Sequence, residues 1–199
     1  GADMALTLIS EREQDDSLKS LVSTTQESIR STKGIVSLLE DFSQKNREGY
    51  RWIILADCLE EVTRIFALSP EASRVTVHRA CAAASRAFCD PQQIKLALFN
   101  LLRNSLQSGA KNVWLKGGGE NGEIEISVRD DGSGIPKEIQ SKIFEPFYTT
   151  KDVGQGVGLG LWMVYRTIKE HGGVIDLQSQ PGFGSEFRLT LPCQPQVVI

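Results

Sequence analysis

The sequence predicts an α+β fold, a two-layer sandwich of helices and sheet, preceded by a long helix of a bundle. Three observations carry that expectation. Two pairs of alternating apolar and polar runs, NVWLKG with EIEISVRD and VIDLQSQ with SEFRLTLP, are each joined by a glycine-containing turn, the mark of a hairpin. Helical patterns are grouped with these hairpins and do not alternate with them strand by strand, which points away from a doubly wound sheet. On the N-terminal side, Leu18, Val22, Thr25, Ile29, Thr32, Val36 and Leu39 recur at spacings of four and three, with Leu21, Ser28, Ile35 and Phe42 alongside at sevens. That is the seam of a coiled coil or helical bundle.

Taken in chain order, Leu6, Leu8 and Ile9 read as the end of a first helix, and EREQDDS as a polar turn with Ser17 as N-cap of the seam helix. The seam predicts a homodimer through residues 18–42. A boundary near residue 48 divides the chain into 1–48, a partial helical hairpin, and 49–195, a compact domain long enough to bury a proper core. Within that domain we expect a strand near Arg51–Leu55, a helix over Asp57–Phe66, and strands near Arg74–Arg79 and Arg86–Cys89. A longer helix starts at Asp90 and Pro91, with Ile94, Ala97, Leu98, Leu101 and Leu102 as its apolar stripe. GGGENG links the first hairpin. A further helix starts at Val157, keeps Leu161, Val164, Tyr165 and Ile168 at helical spacing, and stops at Gly172 and Gly173.

Composition narrows the function classes. A net charge of −3, with both signs mixed along the chain, advertises no nucleic-acid face. Cys58, Cys81, Cys89 and Cys193 form no CxxC pair and show no zinc spacing, so they read as reduced thiols of a cytoplasmic protein. No apolar run reaches membrane-spanning length, and no signal-peptide pattern opens the chain.

The chemistry concentrates between Asp130 and Leu161. Glycines at 132, 134, 154, 156, 158 and 160 allow tight turns and close backbone approach to a ligand. The last of them open a helix, whose free N–H groups and dipole favour an anion. Such a cluster is either an ordinary loop or a phosphate cradle. Asn100 and Asn104, four apart on one helix face, are likewise either surface amides or oxygen donors to a hard cation that keeps most of its waters.

NLLRNS, DDGSGIP, FEPFYTTK, GVGLGL and GFGSEFRLTLP, in that order, resemble the N box, first glycine box, F box, second glycine box and closing strand of sensor histidine kinases. The superfamily includes gyrase, mismatch-repair ATPases and heat-shock chaperones, and the resemblance covers roughly Trp52 to Pro192. It implies a Bergerat-type ATP-binding fold using ATP and Mg2+, with a response-regulator receiver domain as partner. It also implies that Asp130 accepts from the adenine amino group beside Gly132 and Gly134, and that Asn104 holds Mg2+ with Asn100 in support. Lys151 and the second glycine box, Gly156, Gly158 and Gly160, would meet the phosphates. Ser185 would lie near the adenine edge, and Phe144 and Phe147 would anchor the lid by packing.

Two departures stand out. Many relatives carry a Lys three residues after the magnesium Asn, where this chain has Gln107, and the lid between Lys151 and Gly156 is short, as in the nitrogen-regulation type. Sensor kinases phosphorylate a His on the first helix of a dimerisation hairpin. Of the two His here, His78 lies in a strand-like run and His171 at a helix end, and both read as structural. The seam helix corresponds to the second hairpin helix, so the acceptor is expected to be missing from this chain. A membrane-bound sensor region upstream is compatible with this. Two rival readings are a superfamily ATPase clamp and a non-catalytic nucleotide-binding or dimerisation module.

Overall fold

The computed structural model describes residues 49–82, 85–120, 122–151 and 157–193. The seam helix, its dimer contact and Gly156 lie outside them. The chain falls into two units, one formed by Arg47–Pro146 with Gly160–Ile199, the other by Gly1–Asn46 with Phe147–Leu159. All the regular elements described below belong to the first.

These are β1 (Arg51–Ile54), α1 (Leu55–Ala67), a 3-10 turn (Pro70–Arg74), β2 (Thr76–Cys81), β3 (Arg86–Cys89), α2 (Pro91–Gln107), β4 (Asn112–Glu120), β5 (Glu123–Asp130), α3 (Gly160–Glu170), β6 (Val174–Gln180) and β7 (Gly184–Pro192). The main sheet has the order β2-β4-β5-β7-β6, and β1 and β3 form a separate antiparallel pair. Mixed helices and a five-stranded sheet make this the α+β architecture that the pattern predicted. β2 runs parallel to β4 and the other neighbours are antiparallel. α2 accounts for the parallel pair, because it returns the chain to the starting end of the sheet after β3.

One face of the sheet is dry. Leu115, Ile126, Val128 and Leu189 are fully buried, and Leu98 and Ile168 cover them from α2 and α3. Alternation along β5 puts Ile124, Ile126 and Val128 inward and Glu123, Glu125 and Arg129 outward. Truncating a fully buried leucine such as Leu98 to alanine costs about 2–5 kcal/mol. The other face is polar. A single row across it carries His78, Trp114, Arg129 and Glu186, with His78 stacked on Trp114 at 5.6 Å and the Arg129 guanidinium 5.5 Å above the same ring.

Three expectations need correction. Gly117–Gly119 do not form the hairpin connection but continue β4, which runs to Glu120, and β5 begins at Glu123. A Cβ on Gly117 would press on Leu55 and Leu59 within 2.9 Å, so Gly117 lets α1 sit close to the strand. Arg74 belongs to the 3-10 turn and not to β2. The last helix starts at Gly160 and not at Val157, because Gly158 has φ +73°, a left-handed conformation that cannot be propagated as helix. Among the described residues no helix is long and apolar enough to cross a membrane.

Candidate functional site

The site is organised by α2. Asp90 caps its start by accepting from the N–H groups of Gln92 (3.0 Å) and Gln93 (3.3 Å), which stabilises the helix by about 1 kcal/mol. The Asp90 N–H in turn donates to His171 Nε2 at 3.1 Å, and His171 Nδ1 lies 2.7 Å from the Thr167 carbonyl. Nδ1 therefore carries the proton, and the imidazole ties the end of α3 to the start of α2. Burial pushes the His171 pKa down, with the Thr167 carbonyl, Asp90 and Glu170 opposing.

Further along α2, the apolar stripe seats Leu101 and Leu102 in the core and turns Asn100 and Asn104 to its half-buried flank. The two amides differ. Asn100 Nδ2 donates back to the Leu96 carbonyl at 3.0 Å, which fixes its oxygen toward the start of α3, where a Cβ on Gly160 would meet it at 3.3 Å. The Asn104 side chain makes no hydrogen bond to a described residue, while its backbone carbonyl accepts from the Ser108 N–H at 2.9 Å.

At the end of β5 sits Asp130, 2% exposed. Its Oδ1 accepts from the N–H of Gly132 (2.9 Å) and, at 3.3 Å, from that of Ser185, and its Oδ2 accepts from the Ser105 hydroxyl at 3.1 Å. A carboxylate offers about four lone-pair positions. Three are taken, so one acceptor position remains on Oδ2.

The glycine turn that follows is clamped from both sides. Gly132 lies where a Cβ would strike the Ser108 side chain near the end of α2, and the Ser133 N–H donates to the Ser108 carbonyl at 3.0 Å. Gly134, at φ +71°, lies where a Cβ would strike the Gln180 carbonyl at the β6–β7 turn, so no L side chain fits there in either respect. Ser179 joins the two: its hydroxyl accepts from the Ile135 N–H at 2.8 Å, donates to the Gly184 carbonyl at 2.9 Å and lies 3.0 Å from Ser185 Oγ. An open cavity of about 430 Å3 at this end of the sheet is lined by residues including Asp130, Ser179, Ser185 and Phe183.

The structure thus gathers Asp130, Gly132, Gly134 and Ser185 into one bonded cluster, with Ser185 bonding Asp130 through its backbone. Asn100 and Gly160 form a second group. Lys151 and Gly158 belong to the other unit, where the Lys151 N–H donates to Thr149 Oγ1 at 3.2 Å and Gly158 lies tightly against the Phe147 and Tyr148 backbone. Phe144 packs on Phe187 and Tyr165, with ring centroids 6.4 and 5.8 Å apart. Phe147 is no core anchor: it is 68% exposed, because its φ of +66° turns the side chain outward.

Sequence reasoning missed Ser105 and Ser179. Ser105 had a signal, since it continues the buried stripe four residues after Leu101 as the one hydroxyl on that face.

A hard divalent cation fits the α2 flank by the chemistry of its donors. Among the described residues no cluster of three His, Cys, Asp or Glu side chains could hold a metal. The Asn104 amide oxygen, half-buried and without a described partner, is the kind of donor Mg2+ takes beside water and phosphate.

At the end of β5 the site thus holds a buried carboxylate that only accepts, with one acceptor position left. The chain belongs to the histidine kinase-, DNA gyrase B-, and HSP90-like ATPase family, which matches residues 89–195, more than half of its length. It is 30% identical over 182 residues to the signal transduction histidine-protein kinase AtoS of Escherichia coli (strain K12), covering 88% of this chain and 29% of AtoS. The catalytic domain of histidine kinase ThkA superposes with a TM-score of 0.67 at 27% identity, covering 74% of this chain and 98% of that domain. ThkA in complex with the response regulator TrrA gives a TM-score of 0.71 over 98% of this chain and 58% of ThkA, and at 21% identity that likeness shows the fold. The chain spans between 7% and 34% of the length of four curated relatives it matches.

Proposed function

We propose that this chain is the ATP-binding kinase core of a two-component sensor, which transfers the γ-phosphate of Mg-ATP to a His nitrogen on a dimerisation helix. The observation that carries the reading is the single acceptor position left on Asp130 Oδ2, at the end of a strand and between two glycine turns. Adenine offers a matching donor in its exocyclic amine. Gly132 and Gly134 let the turn beside it pack directly on Ser108 and the Gln180 carbonyl, and Ser185 would lie at the opposite edge of the base. The N–H groups of Gly160 and the rest of the first turn of α3, with no acidic residue among them, would receive phosphate oxygens.

Mg2+ held by Asn104, with Asn100 in support, would neutralise charge on those oxygens. The acceptor's unprotonated ring nitrogen attacks the γ-phosphorus in line, the bond to the β–γ bridging oxygen breaks, and ADP leaves with that oxygen. Positioning supplies most of the acceleration. His171 is a poor acceptor, since both its ring nitrogens are engaged, and His78 lies on a strand with its ring stacked on Trp114 and its Nε2 bonded to Asn112 Oδ1 at 3.0 Å, not on a dimerisation helix. The acceptor would therefore come from outside these 199 residues, and the phosphoryl group would pass on to an Asp of a response-regulator receiver. The free thiols fit a cytoplasmic kinase core. In the proposed division, residues 1–48 supply dimerisation and 49–195 bind the nucleotide.

Transfer of labelled γ-phosphate from Mg-ATP tests the reading, with the chain alone and with a separately made helix bearing a His. Label on the added helix only is the expected result. Acid-labile label on this chain alone would make His78 or His171 the acceptor and overturn that part. Steady ATP hydrolysis with no labelled protein would favour an ATPase clamp.

A further inference from the structure

Ser105 is buried at 1% exposure, and among the described residues its hydroxyl makes the only bond to the one Asp130 oxygen that still has an acceptor position. It lies next in the chain to Asn104 and four residues past Leu101, on the face of α2 that grips the sheet. Its own carbonyl receives the Ser108 hydroxyl at 2.8 Å, and Ser108 is the residue against which Gly132 is packed. The hydroxyl is thus held at its base and aimed at Oδ2.

We propose that Ser105 is a positioning residue that sets selectivity for the 6-amino group of the purine. This rests on the reading of Asp130 as the adenine acceptor. The two N–H groups on Oδ1 fix that oxygen but leave the carboxylate free to pivot about the line joining Oδ1 to the chain. A third bond on Oδ2 removes that freedom and directs the last lone pair outward. A carboxylate so held accepts from an amine and has nothing to offer a purine lacking one or bearing a carbonyl in its place. Ser105 shares α2 with Asn104, so one rigid helix sets the base-reading carboxylate and the metal-binding amide in a fixed register. No substrate contact by Ser105 itself is required.

Calorimetric binding to the full chain in EDTA tests this, with ADP and purine riboside 5′-diphosphate, which lacks the amino group. The unmodified chain prefers ADP. Ser105→Ala weakens ADP by about tenfold, the worth of one hydrogen bond to a charged group, and leaves the analogue within about twofold, so the preference contracts. Ser105→Thr, which keeps the hydroxyl, retains the preference. A merely structural role would lower thermal stability and weaken both ligands alike. An unchanged or widened preference in Ser105→Ala, or a contracted one in Ser105→Thr, overturns the proposal. Asp130→Asn separates the two levels: if the unmodified chain shows no preference, or Asp130→Asn keeps it, the reading of Asp130 fails; if that variant alone loses it, only the role of Ser105 does.

Discussion

The two ends of the site are built on opposite principles. Around Asp130, Gly132 is packed on the Ser108 side chain and Gly134 and Gly184 on backbone, and Gly132, Ser185, Ser105 and Ser179 are bonded to one another or to the carboxylate. Around Asn104 the amide has no partner among the described residues, and α3 opens with no acidic residue in its first turn. In the proposed reading the Asp130 cluster, the base end, is finished before any ligand arrives, whereas the Asn104 flank, the phosphate end, leaves donors to be satisfied by what binds. Folding energy would then go into the base end, and affinity for phosphate and metal would depend on groups whose loss the fold barely registers.

The sharpest way to break that contrast is at Gly134. A side chain there meets the Gln180 carbonyl and an unfavourable φ of +71°, so Gly134→Val should destabilise the domain by more than about 3 kcal/mol and abolish nucleotide binding, read by denaturant unfolding and calorimetry. Next, Asp130→Ala would strand two backbone N–H groups and the Ser105 hydroxyl, a loss of about 2–4 kcal/mol. Asn104→Ala should change stability by no more than about 0.5 kcal/mol in the same assay. Comparable losses at the two positions would erase the distinction.

His171 sharpens it further, because it fixes the helix that serves both ends. Its pKa is lowered in the fold, so between the folded and unfolded values the unfolded chain binds the extra proton. Stability from this group is complete above the unfolded value near 6.5 and is lost as pH falls through the window below it. Protonated, Nε2 could no longer accept the Asp90 N–H, while Asp90 and Glu170 would partly compensate the charge, and Tyr50, tilted against the ring with centroids 4.8 Å apart, adds no charge of its own. Melting temperatures from pH 7.5 down to 5 should fall less steeply in His171→Gln than in the unmodified chain, measured by calorimetry; parallel slopes would remove His171 from the account.

The smallest effect concerns the thiols. Burial pushes Cys58 up to about 11 and Cys89 up to about 12. Neither should react with iodoacetamide at pH 8 in the native protein, as peptide mass spectrometry would show, and full labelling of both would mean that the β1–β3 corner opens readily.

The base end was also the more legible in sequence. β5, β6 and β7 follow from strict alternation, and α2 follows from its stripe and its Asp-Pro start. Asp130, Gly132 and Gly134 stand in one motif because the turn needs them adjacent. What escaped depends on contacts between distant segments. The stretch Gly117–Gly119 looks like a turn until α1 is laid against Gly117, and the parallel pairing of β2 with β4 cannot be read from either strand alone. Ser105 and Ser179 are hydroxyls whose partners lie 25 and 44 residues away. Phe147 carries the composition of an anchor, and only its backbone conformation shows that it points out.

The most direct test of the division is the Mg2+ dependence of ADP and adenosine affinity, measured by calorimetry in Asp130→Asn and Asn104→Asp. The account predicts that Asp130→Asn weakens both ligands by a similar factor and keeps the gain that Mg2+ gives to ADP. Asn104→Asp should leave adenosine unchanged and alter that gain. Equal effects of the two substitutions on both ligands would contradict it.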